Sequence, residues 1–191
     1  MAKGKLFAAL FCFIIICTVT LSACTNASSR YTERVAMHAS WAYNFRDVQD
    51  LTENSDLIAY VSVASMESYK ESGIAKTRYV AKVIDELHGQ GAETVEIVMT
   101  GGIIDKILYE LDDDPLMEIN DRFLIFARKN TTGTYTVLSG SQGRLVMKDD
   151  RVYSLNAIDS EVARANPHSN IKVNGVDKDE LYSQIKSYLP K

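Results

Sequence analysis

The most concentrated chemical feature of the sequence is a run of three carboxylates, Asp112, Asp113 and Asp114, with Glu118 and Asp121 shortly after it. Hard cations such as calcium prefer several carboxylate and carbonyl oxygens, and a loop that holds this many acids could supply them. The spacing differs from that of an EF-hand loop. The run therefore supports a calcium hypothesis on Asp112, Asp113 and Asp114. The alternative is a solvated loop ahead of a strand.

Residue types that perform hydrolysis are sparse. The three histidines, His38, His88 and His168, lie in different segments, and the sequence has no Gly-x-Ser-x-Gly elbow in which a base could activate a serine. Zinc sites use clustered histidine and cysteine, which the chain lacks. The stretch SGSQG at residues 139–143 has no lysine and no following helix of a phosphate-binding loop, so we interpret it as a turn between strands. We therefore predict no catalytic residue and no cofactor.

Cysteine chemistry is confined to the N-terminus. Two lysines precede a predominantly apolar run at residues 6–19. This is the order of a secretory signal, and the run is shorter than the about 20 residues of a membrane-spanning helix. The segment Leu21-Ser22-Ala23-Cys24 resembles the bacterial lipobox. This resemblance implies cleavage between Ala23 and Cys24 and a diacylglycerol thioether on Cys24, with acyl chains that hold the protein on the membrane. An uncleaved anchor and an ordinary secretory signal are the alternatives.

Cleavage at this point divides the chain into a lipoprotein signal peptide (residues 1–23), a polar tether (24–40) and a single β-rich globular domain (41–191). Cys12 and Cys17 lie inside the signal, so the mature chain can form no internal disulfide. The chain has 25 acidic and 21 basic residues, and its lysines and arginines are not clustered. This balance does not favour nucleic acid as a partner.

The periodicity of the domain predicts strands. Apolar and polar residues alternate at residues 77–87 and 94–100, as in half-buried antiparallel strands. Residues 123–127 (FLIFA) are apolar on both faces, which indicates a central strand covered on both sides. Further strands are predicted at residues 57–64, 135–138, 144–147 and 152–155, and a tight hairpin turn at Asp149-Asp150 joins the last two.

Helices are predicted at both ends of the domain. Trp41, Phe45 and Val48 recur at helical spacing and indicate a short amphipathic helix that ends near Asn54. Asp177 can cap a C-terminal amphipathic helix. The apolar stripe of that helix comprises Leu181, Ile185, Tyr188 and Leu189. We therefore predict a mainly β (α+β) fold: a small bent antiparallel sheet or OB-like barrel of about six strands, closed by these two helices.

The order of the segments DLIAYVSV, RYVAKVIDELHG and VEIVMTGG resembles a family of uncharacterised extracytoplasmic bacterial domains, over roughly residues 45–189. The strand layout is also similar to the netrin-like OB barrel, which includes tissue inhibitors of metalloproteinases, although the disulfides of those proteins are absent here. In those inhibitors the amine and carbonyl of an N-terminal cysteine bind the protease zinc. Lipid and the bilayer would occupy Cys24, so we do not expect this mode of inhibition.

These features favour a non-enzymatic binding or interaction module on the extracytoplasmic face of the bacterial cell membrane. Its expected partners are the membrane, through lipid on Cys24, and an unknown protein or envelope ligand, with exposed aromatic residues as the contacts. A protease inhibitor or an immunity-type surface protein is the alternative. A hydrolase with an unrecognised site is the third hypothesis.

Overall fold

Alternating apolar residues build a closed barrel in the computed structural model, which describes residues 30–190. The strands in this part of the chain are β1 (Glu33–Met37), β2 (Leu57–Glu71), β3 (Ile74–His88), β4 (Thr94–Thr100), β5 (Gly102–Ile104), β6 (Ile107–Leu111), β7 (Arg122–Lys129), β8 (Tyr135–Val137), β9 (Arg144–Lys148), β10 (Arg151–Ser154) and β11 (Asn174–Asp177). The α-helices are α1 (Val48–Glu53), α2 (Leu155–Ile158), α3 (Ser160–Ala165) and α4 (Lys178–Tyr188), and Gly140–Gly143 form one turn of 3-10 helix between β8 and β9.

Five strands form the barrel, in the order β7, β2, β3, β4 and β8. The ring closes because β8 pairs antiparallel with β7 and meets β4 in parallel at Ile97 and Tyr135. Register shifts interrupt the pairing of β2 with β3 at three places, and such bulges increase the bend that a closed barrel requires. The OB-like barrel predicted from the sequence is therefore confirmed.

The central strand β7 separates two apolar cores. Phe123, Ile125 and Ala127 face the barrel interior, whereas Leu124 and Phe126 face outward. The outward residues are covered by the helical layer, in which α4 contributes Leu181, Tyr182 and Ile185 and α1 contributes Leu51. This arrangement explains why residues 123–127 are apolar on both faces, as the sequence indicated.

The hairpin turn and the helix cap that the sequence predicted in the C-terminal half are also confirmed. Asp149 and Asp150 both have positive φ angles, 49° and 59°, as the two-residue turn between β9 and β10 demands. Asp177 caps α4, because its Oδ1 accepts hydrogen bonds from the backbone N–H groups of Asp179 and Glu180. Within residues 30–190 even the longest helix, with 11 residues, falls short of the length and apolarity needed to cross a bilayer.

The N-terminal part of the domain differs from the prediction. Residues 33–37, assigned to the tether, form β1, which pairs in parallel with β6 in a small sheet ordered β1-β6-β5. The compact unit therefore begins at Tyr31. The predicted helix also starts later than expected, because the Asp47 side chain caps the N–H of Asp50 and α1 begins at Val48. Trp41 and Phe45 lie in an irregular segment ahead of it.

Strands β1, β5, β6 and β11 and helices α2 and α3 were not predicted. The unpredicted strands have three to five residues each, which is too short for alternation to be recognised. The first of them also lies in a polar stretch and forms its hydrogen bonds with residues more than seventy positions away. Such non-local pairing leaves no local pattern in the sequence.

Candidate ligand-binding groove

The irregular segment at residues 38–47, here called the strap, is held against the barrel by the SGSQG loop. Ser139 Oγ donates to the carbonyl of Tyr43 (2.6 Å), and the N–H of Phe45 donates to Gln142 Oε1 (3.0 Å). Gln142 Nε2 also donates to Asn44 Oδ1 (2.5 Å). The glycine-and-hydroxyl-rich loop is a turn between β8 and β9, as predicted, and its polar groups bind the protein's own strap.

Gly140 allows the strap to lie close to this loop. Its φ angle is +56°, and a Cβ atom at this position would lie 2.5 Å from Cζ2 of Trp41 and 2.7 Å from Cγ of Asp114. No side chain fits both the backbone conformation and the space. The indole of Trp41 therefore packs directly over the backbone at Gly140.

The acidic run is divided among three separate structural contacts. Asp112 accepts from Arg34 Nη2 at 3.4 Å, and Asp113 Oδ2 accepts from Trp41 Nε1 at 2.5 Å. Asp114 pairs with the buried guanidinium of Arg144. Among residues 30–190 no three acidic, histidine or cysteine side chains are arranged to hold a metal ion. The geometry thus gives the calcium hypothesis on Asp112, Asp113 and Asp114 no support.

Beside the strap lies a surface groove of about 420 Å³. It is lined by Trp41, Ala42, Tyr43, Phe45, Asn54, Arg128, Asn130, Thr136, Val137, Leu138 and Ser139. Phe45, Val137 and Leu138 are buried and form an apolar floor, whereas the Tyr43 ring is 49% exposed. A concave apolar surface with a few polar groups at its rim is the usual form of a ligand site.

The polar rim of the groove has one cation and no acid. Arg128 is exposed on β7, and no carboxylate among residues 30–190 forms an ion pair with it. Asn130 donates from Nδ2 to the hydroxyls of Thr134 (3.0 Å) and Thr136 (3.1 Å), so the next turn is ordered by its own side chains. Arg128 therefore remains available to an anionic group of a ligand.

A hydrogen bond to the Asp50 carboxylate orients the side chain of Tyr43. The buried Asp50 carboxylate accepts from Arg46 Nε (3.1 Å), from the N–H of Arg46 (3.1 Å) and from the Tyr43 hydroxyl (3.2 Å). The hydrogen bond from the Arg46 guanidinium is the main reason why the pKa of Asp50 lies below its usual range, and it outweighs the opposing effect of burial. The Tyr43 ring also packs edge-on against Phe45, with 4.6 Å between centroids.

The ion pair between Arg144 and Asp114 is buried on both sides. Arg144 is 1% exposed, its guanidinium lies 5.3 Å from the centroid of the Phe123 ring, and Nη2 also donates to the carbonyl of Pro115 at 2.7 Å. Burial raises the pKa of the Asp114 carboxyl, and the positive charge of Arg144 opposes that rise. The pair joins the loop after β6 to the barrel.

The structure places the other predicted chemical residues apart. His38, His88 and His168 lie after β1, at the end of β3 and in the loop before β11, respectively. Ala23 and Cys24, the predicted cleavage and lipidation residues, lie outside the described residues. No protein-family model matches the chain, and no curated protein is similar to it at a significant level.

Sequence reasoning missed the residues that line the groove. Trp41 was assigned to a helix because Phe45 and Val48 follow at helical spacing. One signal was available: Trp41 is the only tryptophan of the chain and directly follows the polar stretch at residues 25–40. Arg128 and Thr136 carried no signal, because an exposed polar residue on a strand is ordinary in any barrel.

The buried pair predicts strong coupling between Arg144 and Asp114. Replacing either partner, as in Arg144→Met or Asp114→Asn, leaves the other charge buried and should lower the free energy of unfolding by about 3–5 kcal/mol. The double variant should lose much less stability than the two single variants lose together, because it buries no unpaired charge. Urea denaturation of the four proteins measures this coupling. The exposed pair Arg78–Glu96 is the control and should couple by under about 1 kcal/mol; additive losses at Arg144 and Asp114 would contradict the assignment.

Asp50 predicts a pH-dependent contribution to stability. Because its pKa is lower in the folded than in the unfolded chain, ionised Asp50 stabilises the fold above about pH 4, and this contribution is lost as the pH falls through the folded-state pKa. Asp50→Asn should therefore destabilise by about 2 kcal/mol at pH 7, with a smaller difference from wild type near pH 3. Glu53→Gln, in the same helix but exposed, is the control. If the free energies of unfolding of wild type and Asp50→Asn differed by the same amount from pH 7 to pH 3, this role of Asp50 would be contradicted.

Proposed function

We propose that the protein is a membrane-anchored extracytoplasmic lipoprotein whose domain binds a ligand in the groove beside the strap and performs no catalysis. The observation that carries the proposal is the groove itself, in which an exposed aromatic ring, an apolar floor and an unpaired guanidinium converge. The lipobox-like segment that ends at Cys24 supports the anchoring.

Hydrogen bonds fix the residues that line the groove, and this order favours binding. The backbone of the strap is fixed by Ser139 and Gln142, and the indole of Trp41 is fixed by Asp113. Contact residues that are ordered before a ligand arrives lose little conformational entropy when it binds. The residues that line the groove include no histidine, cysteine or acid. The lining serine, Ser139, has no such base beside it in the groove to activate it as a nucleophile, and its hydroxyl donates to the carbonyl of Tyr43. Recognition is therefore the chemistry that this lining supports.

Anchoring predicts a specific requirement for Cys24. The Cys24→Ala variant should accumulate as an unprocessed precursor that takes up no labelled palmitate, because the lipid-accepting thiol is gone. Cys17→Ala removes a thiol from the apolar run and should be processed and labelled normally. Metabolic labelling followed by electrophoresis compares the two variants. A processed and lipid-labelled product from Cys24→Ala would refute the lipoprotein assignment.

Ligand binding in the groove predicts site-specific crosslinking in intact cells. A photoreactive amino acid at Thr136, exposed in the groove, should give an adduct with an envelope component. The same residue at Ile84, which is 48% exposed but lines no part of the groove, should give none. Electrophoresis after irradiation detects the adduct. Equal yields at both positions, or no adduct at Thr136, would contradict a binding role for the groove.

A further inference from the structure

A second cavity continues the groove along the outer surface of the barrel. It measures about 470 Å³ and shares Asn130 and Thr136 with the first cavity. Its remaining lining comes from β2, β3, β4 and the turn before β8, and it includes Tyr69, Arg78 and Glu96. The two cavities together are called the extended groove below. It has room for an elongated ligand rather than for a single small group.

Aromatic rings lie toward the two ends of the extended groove, and small polar groups lie between them. Trp41 and Tyr43 stand at one end and Tyr69 at the other, with Asn130 and Thr136 between them. The exposed turn at residues 131–134 adds further threonine hydroxyls, and those of Thr132 and Thr134 lie 3.1 Å apart. Aromatic faces pack on the C–H faces of sugar rings, while amides and hydroxyls exchange hydrogen bonds with sugar hydroxyls. This combination is suited to a polyhydroxylated chain.

The charges of the extended groove are paired, with one exception. Lys76 forms an ion pair with Glu71, and Arg78 lies near both the Glu96 carboxylate (3.7 Å) and the Tyr69 ring (5.4 Å to the centroid). Among the three cations that line the extended groove, Arg128 is the one with no acidic partner within residues 30–190. A strongly anionic ligand such as a nucleic acid would need several unpaired cations. One unpaired guanidinium fits a ligand that carries isolated carboxyl groups.

The apolar floor of the first cavity narrows the choice of sugar. Val137, Leu138 and Phe45 line this floor, and because they are only 4%, 7% and 3% exposed, each offers the cavity a small apolar surface. A simple sugar offers mainly hydroxyls to such a floor, whereas an N-acetylated amino sugar offers the methyl of its acetamido group. An extended peptide is a poorer fit, because β8 already has strand neighbours on both sides and cannot accept an added strand.

We propose that the extended groove binds an N-acetylated amino-sugar glycan that carries carboxyl groups, which is the chemistry of the glycan strands of the bacterial cell wall. A sugar carboxylate pairs with Arg128, acetamido methyls contact Val137 and Leu138, and the aromatic rings pack on the sugar faces. The inference rests on the proposed function, because an extracytoplasmic anchor is what brings the domain to such strands.

Titration of the full-length protein with peptide-free cell-wall glycan fragments tests the inference. The emission of Trp41 reports binding at one end of the groove, because it is the only tryptophan of the chain, and calorimetry gives the Kd. Arg128→Gln should weaken binding at least about tenfold, the loss expected for one charge-assisted hydrogen bond. Lys129→Gln should change the Kd less than about twofold, because neighbouring strand residues face opposite ways and Lys129 Nζ instead donates to Gln90.

Two further ligands test the carboxylate assignment and the glycan assignment separately. Chitotetraose has acetamido groups but no carboxylate, and it should bind about tenfold more weakly and be insensitive to Arg128→Gln. A short acidic peptide should not bind. Equal affinity for chitotetraose and the acidic glycan would overturn the carboxylate assignment, and binding of the peptide alone or of none of the three would overturn the glycan. In either case an adduct at Thr136 in cells would leave the proposed function standing.

Discussion

The groove side of the domain depends on the buried ion pair between Arg144 and Asp114. A buried charge is costly unless it is paired, so the Arg144–Asp114 pair favours the position of the loop after β6 that brings its carboxylate to the guanidinium. Once Asp114 is placed, the preceding residue, Asp113, meets the indole of Trp41, and Asp112 meets Arg34 from β1. Three consecutive acids thereby join the barrel, the strap and the small sheet.

This arrangement converts a polar loop and an irregular strap into an ordered surface. The strap has no regular secondary structure of its own, so its shape comes from side chains of the SGSQG loop and from Asp50. Gly140 permits the close contact with Trp41. The surface is thus built on the rigid barrel by hydrogen bonds that already exist in the free protein, which is the condition for tight binding of a flexible, strongly hydrated ligand.

The barrel was predictable because the pattern that indicates each strand or turn lies within a few neighbouring residues. Five consecutive apolar residues in β7 are enough to indicate that both faces of this strand are buried. The positive φ angles of Asp149 and Asp150 follow from the two-residue turn. The groove was not predictable because its contacts are distant: Trp41 and Asp113 are 72 positions apart. The acidic run was misleading for the same reason. Adjacent carboxylates indicate a cation site only if they converge, and here their partners lie on three different elements.

Nuclear magnetic resonance of the isotopically labelled protein during titration with peptide-free cell-wall glycan tests the central claim most directly. The indole N–H of Trp41, the side-chain amide of Asn130 and the guanidinium of Arg128 should shift first and together. Signals from residues outside the groove, such as the side-chain amide of Gln184 on α4, should stay in place. Shifts centred on α4, or spread evenly over the barrel, would contradict the assignment of the groove as the binding surface.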